Sequence, residues 1–129
     1  KHHQNTLKVI KFLSKQKKIT EILYPYKPSS KNYKLWKKYY SGASGLLGIV
    51  IKSKSKSSVY SFVNNLELFG IGYSWGGYSS LAVYNDPAEM GDRRFFKLEK
   101  NHHLLRLHIG LEDTNDLIND LKKALKRVK

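Results

Sequence analysis

The sequence predicts an α/β domain of the α+β kind, with a mainly antiparallel sheet and helices packed on one face. Three observations predict it. The chain has 129 residues, enough for one domain with one core. Its apolar residues switch between helical and two-residue spacing in the order α-β-β-α-β-β-β-α. The helices are set between short strands and do not follow every strand, so the pattern is not one of repeated parallel βα units.

Residues 5–17 read as a helix, with Leu7, Ile10 and Leu13, flanked by Val9 and Phe12, giving a broad apolar face. Ile19 to Tyr24 reads as a strand stopped by Pro25. Residues 25–44 are a loop rich in Pro, Ser, Lys and Tyr, with a short turn of helix around Leu35 and Trp36. Leu46 to Lys52 is apolar and β-branched, a buried strand, and the Lys/Ser run after it is a loop. Ser57 or Ser58 caps the next helix, in which Val59, Phe62, Val63 and Leu66 share one face. Strands at Ile71 to Ser74 and Ser80 to Tyr84 flank a glycine-rich turn, and Asp86 to Lys100 is an irregular connection. In the strand His103 to Ile109, Leu105, Leu107 and Ile109 point one way and Leu104, Arg106 and His108 the other. The last helix runs from about Thr114 to Val128, with Leu117, Ile118, Leu121, Ala124, Leu125 and Val128 as its stripe. Acids at its start and bases near its end suit the helix dipole.

The formal charge of +14 is uneven: residues 1–56 carry fourteen lysines and one acid, Glu21, while the remainder carries ten bases and nine acids. A basic half suits an anionic partner, and a non-catalytic binding or assembly domain is one reading of it. The bases are scattered, and only four of the 24 are Arg, so no specific nucleic acid is expected. No cysteine is present, which excludes a disulfide scaffold, a thiolate metal site and a cysteine nucleophile. A cytoplasmic location fits that composition. No apolar run reaches membrane-spanning length, no signal peptide is visible, and no membrane partner is expected. The first residue is Lys1, as expected of a sequence that begins inside a longer chain.

Gly72-Tyr73-Ser74-Trp75-Gly76 matches a G-x-S-x-G nucleophile elbow, with Asp86 or Asp92 and then His102, His103 or His108 in the order of a hydrolase triad. A small serine hydrolase is disfavoured because the residues before Ser74 do not form the parallel βα units that the elbow needs. The pairs His2-His3 and His102-His103 point in different directions, so no metal site is expected. Ser41 to Gly45 lacks the Lys-Ser/Thr of a phosphate loop and reads as a flexible turn. Arg106 lies mid-strand between leucines, where an unpaired guanidinium is costly. It must find an anion: either one of the domain's own acids or a substrate carboxylate held by its two-pronged fork.

Three separated motifs resemble one family. Gly72 to Leu81 resembles the S-W-G-G-Y-E-S-L segment of cystathionine β-lyases, and Leu104 to Asp113 resembles their R-L-H-I-G-L-E-D segment. Trp36 to Gly48 resembles their W-x4-(F/Y)-x-G-(A/S)-S-G-L segment, and His3 to Leu7 and Ile22 to Pro25 add shorter echoes. The chain thus resembles the C-terminal domain of the trans-sulfuration enzymes of Cys/Met metabolism, fold-type-I enzymes that use pyridoxal 5'-phosphate. The resemblance covers the whole chain as one small domain, 1–129. It implies Cβ–S cleavage of cystathionine, a place in methionine biosynthesis, and a homo-oligomer, typically a tetramer. It implies that Arg106 grips the substrate α-carboxylate and that Ser74 and Trp75 line the same end of the pocket. Ser79 departs from the family, which usually has Glu there. By the same resemblance, the cofactor's lysine and phosphate cradle belong to a large domain that precedes this one. No catalytic or cofactor-binding residue is therefore expected in this chain, and no cofactor or activity in the chain alone.

Overall fold

The computed structural model describes residues 1–86, 89 and 97–129. Most of the connection expected between Asp86 and Lys100, including Asp92, lies outside them. The described elements are α1 (His2–Leu13), β1 (Ile19–Leu23), α2 (Tyr33–Tyr39), β2 (Leu46–Lys52), α3 (Lys56–Asn64), β3 (Gly70–Ile71), β4 (Leu81–Asn85), β5 (His102–His108) and α4 (Thr114–Leu125). The strands form one sheet in the order β1-β2-β5-β4-β3, antiparallel except for the β3–β4 pair. The expected fold class is therefore the observed one.

The two faces of the sheet differ because side chains alternate along each strand. Leu47, Ile49 and Ile51 of β2 and Leu105 and Leu107 of β5 are fully or almost fully buried, and they pair across the ladder as Leu47 with Leu107 and Ile49 with Leu105. Val9, Ile10 and Leu13 of α1, Val59, Phe62 and Val63 of α3, and Leu117, Leu121 and Ala124 of α4 complete the same core. The opposite face carries Gly48, Val50, Val83, Leu104 and Arg106, which face one another across the strands, and Val50 and Val83 lie outside that core. Helices thus cover one side and leave Arg106 on the other.

Four details differ from expectation. The first helix begins at His2 and ends at Leu13, because Lys15 and Gln16 take tighter bonds to Phe12 and Leu13 that turn the chain toward β1. The segment around Trp36 is a seven-residue helix with no fully buried residue, and its half-buried Trp36 packs edge-on to Tyr26 at 4.7 Å. The cap of α3 is Ser55, whose hydroxyl accepts from Ser58 N; Ser57 and Ser58 stand inside the first turn. The strand expected over Ile71 to Ser74 is only Gly70–Ile71, and it runs parallel to β4. Beyond Ile71 the chain leaves the sheet because side chains of β5 take its carbonyls, and Gly76, at φ +81°, turns it back.

Candidate functional site

β5 places Arg106 between Gly48 of β2 and Val83 of β4 on the face without helices. Its Nη2 donates to the carbonyls of Gly72 and Tyr73, and its guanidinium carbon stands 5.5 Å from the centre of the Tyr73 ring. No described acid pairs with it, so the alternative of a salt bridge within the domain is not formed among the described residues. Nε and Nη1 have no partner among those residues, and they are not sealed from solvent. The guanidinium therefore keeps donors on Nε and Nη1 for an anion, while a parallel two-pronged grip also draws on Nη2, which here serves the loop carbonyls.

The carbonyls that Arg106 holds belong to the loop that carries Ser74 and Trp75. Both residues are exposed, Trp75 by 67%, and neither side chain makes a hydrogen bond among the described residues. Ser74 is therefore bonded to no described histidine, as a triad would require. Arg106 is thus linked to Ser74 and Trp75 through one loop. Ser79 is an exposed residue at the far end of that loop.

The sequence reading missed the device that fixes this loop. Glu112 looks there like one more acid at a helix start. Its carboxylate instead accepts from Ser80 N at 2.6 Å and from Ser80 Oγ at 2.9 Å, while Ser80 Oγ accepts from Gly110 N at 2.8 Å. Leu111 N donates to Tyr78 O at 2.7 Å beside it. The signal was Gly110: a Cβ there would lie 2.2 Å from Tyr78 O, so only glycine admits the loop this close. Asn5 of α1 secures the other side, donating to the carbonyls of Gly110 and Glu112 and accepting from Thr114. A strand, two helix starts and the Ser74 loop meet at these few residues.

The remaining candidates have structural roles. Among the described residues, no group of three or more His, Cys, Asp or Glu side chains is placed to hold a metal. His2 bonds Ile109 O, and His103 lies between Tyr84 OH and Ser53 O. In the Ser41 to Gly45 turn, Gly45 O accepts from Ile109 N, and a Cβ on Gly45 would lie 2.4 Å from Ile109 O. Tyr24 OH donates to Ser44 O of the same turn, and burial, helped by Tyr26, pushes its pKa up to about 12. Beside this turn and α2 lies a groove of about 860 Å³ with Tyr26, Trp36 and Tyr39 in its walls.

Three comparisons bear on this arrangement. A family model described as "Cys/Met metabolism PLP-dependent enzyme" matches residues 1–126. The cystathionine beta-lyase MetC of Escherichia coli is 37% identical over 98% of this chain and 33% of its own length. An L-alanine/L-glutamate racemase of Wolbachia pipientis is 40% identical over 99% of this chain, and the cystathionine gamma-lyase of Mus musculus is 36% identical over 98%, each over 32% of its own length. The crystal structure of a putative O-acetylhomoserine (thiol)-lyase from Campylobacter jejuni, containing a pyridoxyl-lysine monophosphate, superposes with a TM-score of 0.75 and 32% identity over 96% of this chain and 27% of that one. The chain thus spans about a third of the length of the curated relatives it matches. On the family match over residues 1–126, this chain belongs to the Cys/Met metabolism pyridoxal-phosphate-dependent enzymes.

Proposed function

We propose that this chain is the substrate-gripping domain of a carbon–sulfur lyase, with Arg106 as clamp for the α-carboxylate and Ser74 and Trp75 lining that end of the pocket. The reaction is Cβ–S cleavage of cystathionine to homocysteine, pyruvate and ammonia. One observation carries the reading: Arg106 stands on the sheet face without helices and, among the described residues, is bonded only to the loop of Ser74 and Trp75. A planar guanidinium bonded to the loop that carries an indole and a hydroxyl suits a carboxylate by shape as well as charge. Relatives named for β-lyase, γ-lyase and racemase reactions are all similar to the chain. The choice of β-lyase rests on Trp75 within the S-W-G-G motif.

Pyridoxal phosphate needs a lysine amine for covalent attachment and donors for its phosphate, and once bound it acts as an electron sink. Among the described residues, Arg106 bonds two carbonyls and stands over a tyrosine ring, with no lysine bonded beside them. They fit the substrate end of a pocket and do not fit the cofactor's anchorage. By likeness to the family, the lysine and phosphate cradle are assigned to a separate large domain, which together with this one builds a cytoplasmic tetramer. The test combines this chain with the lysine-bearing segment of a β-lyase relative and pyridoxal phosphate, and follows pyruvate release from cystathionine. Turnover is expected only with both pieces present. Turnover by this chain alone, or none from the pair under conditions where the intact relative works, would refute the reading.

A further inference from the structure

Side chains that alternate along β5 and beyond it grip the loop between β3 and β4 in sequence. Arg106 holds the carbonyls of Gly72 and Tyr73, His108 meets Gly76 and Gly77, and Glu112 holds Ser80. Only Arg106 has a role in the proposed site. We propose that His108 is a positioning residue, bonded through Nε2–H, that sets where the loop presents Ser74 and Trp75. The proposal rests on the reading of those residues as the carboxylate end of a substrate pocket.

The geometry fixes the tautomer. His108 is 2% exposed, and its Nε2 lies 2.9 Å from Gly77 O. A carbonyl only accepts, so Nε2 carries the proton. Nδ1 faces the N–H of Gly76 at 3.5 Å, and an N–H only donates, so Nδ1 presents its lone pair. One ring thus meets two consecutive residues with opposite polarity. Gly76, which supplies one of those groups, has a positive φ of 81°. The ring has little room to turn away. A Cβ on Gly45 would lie 3.0 Å from its Cε1, and the His2 ring stands 5.3 Å from it, centre to centre.

Trp75 directly precedes Gly76, and neither it nor Ser74 has a side-chain hydrogen bond among the described residues. Backbone anchors therefore decide where both side chains sit. Arg106 supplies the anchor before them and His108 the first one after them. Removing the His108 ring frees the second anchor while the ladder of β5 with β2 and β4, which needs only backbone, persists.

The test compares the 15N-labelled chain with His108→Gln and His108→Phe. A glutamine carboxamide donates and accepts as the neutral ring does, whereas phenylalanine fills the space and does neither. Long-range histidine spectra of the wild type should show the Nε2–H tautomer. Amide signals of residues 73–79 and the Trp75 indole signal should move in the Phe variant and return toward wild type in the Gln variant, with β2 and α4 unchanged. In the enzyme reconstituted as above, the Phe variant should raise KM for cystathionine roughly 2- to 10-fold, as expected for one lost hydrogen-bonding group, and Gln should restore it. An Nδ1–H tautomer, unmoved loop signals in the Phe variant, an unchanged KM, or a Gln variant as displaced as Phe would overturn the proposal. If the Phe variant does not fold, the tautomer and the Gln variant decide alone. Failure of the carboxylate reading would show separately, as full activity in Arg106→Leu.

Discussion

At the scale of single residues, two buried polar groups hold loops in place. Asp120, 4% exposed, accepts from Glu67 N at 3.0 Å and Leu68 N at 2.9 Å, tying the turn after α3 to α4. Asp120→Ala leaves those donors without their acceptor and should cost about 2–3 kcal/mol, read as a lower urea midpoint with unchanged slope. A loss under 0.5 kcal/mol would mean that water replaces the carboxylate freely. Tyr24 makes a prediction in pH. Its folded pKa, raised to about 12 chiefly by burial, lies above the ordinary tyrosine value of 10.0, so between these values the folded state retains a proton that the unfolded state releases. Below pH 10 the group has no effect on stability; above it, stability falls as pH rises toward 12. Circular dichroism should show that decline, and Tyr24→Phe, which cannot ionise, should flatten it. An identical decline in both proteins would assign the effect elsewhere.

At the scale of elements, the turn between β5 and α4 connects fold to site. Asp113 caps α4, accepting from Asn115 N and Asp116 N, so Asp113→Ala should cost about 1 kcal/mol in thermal or urea unfolding without moving the loop. Gly110→Ala is different. Its Cβ has backbone at 2.2 Å and cannot be absorbed by a side-chain rotation, so the Ser80 end of the loop must shift or the domain must open. Loop amide signals that stay in place in that variant would contradict the close approach. These elements show what was legible beforehand. β2, β5 and α4 carry strong periodicity and fall within a few residues of their expected bounds, because burial on one face imposes the pattern. β3 was overextended because Gly72 to Ser74 looks apolar enough for a strand, whereas its carbonyls go to Arg106. The roles of Glu112 and Asn5 were invisible for a similar reason: each bonds a partner 30 or more positions away, and no local spacing records that. Arg106 was legible as a cation needing a partner, and the partners it finds among the described residues are the carbonyls of Gly72 and Tyr73.

At the scale of the whole molecule, the domain divides its labour between the two faces of one sheet. Three helices and one face make the core; the other face carries Arg106, and the adjoining loop exposes Ile71, Tyr73, Trp75 and Tyr78, each by 67% or more. Exposed apolar groups gathered in one loop mark a binding surface more often than a solvated one, which agrees with a pocket completed by another domain. Arg106 as carboxylate clamp is the central claim, and it has a direct measurement: kcat/KM for cystathionine in the reconstituted enzyme, wild type against Arg106→Lys and Arg106→Leu. Lysine keeps the charge but loses the planar fork, and should already impair the enzyme. Leucine should lower kcat/KM by roughly 30- to 5,000-fold, the equivalent of about 2–5 kcal/mol for a lost charge-assisted contact, with cofactor absorbance nearly unchanged. A folded Arg106→Leu enzyme that stays within about threefold of wild type, a difference of roughly 0.7 kcal/mol, would show that Arg106 does not hold the substrate carboxylate.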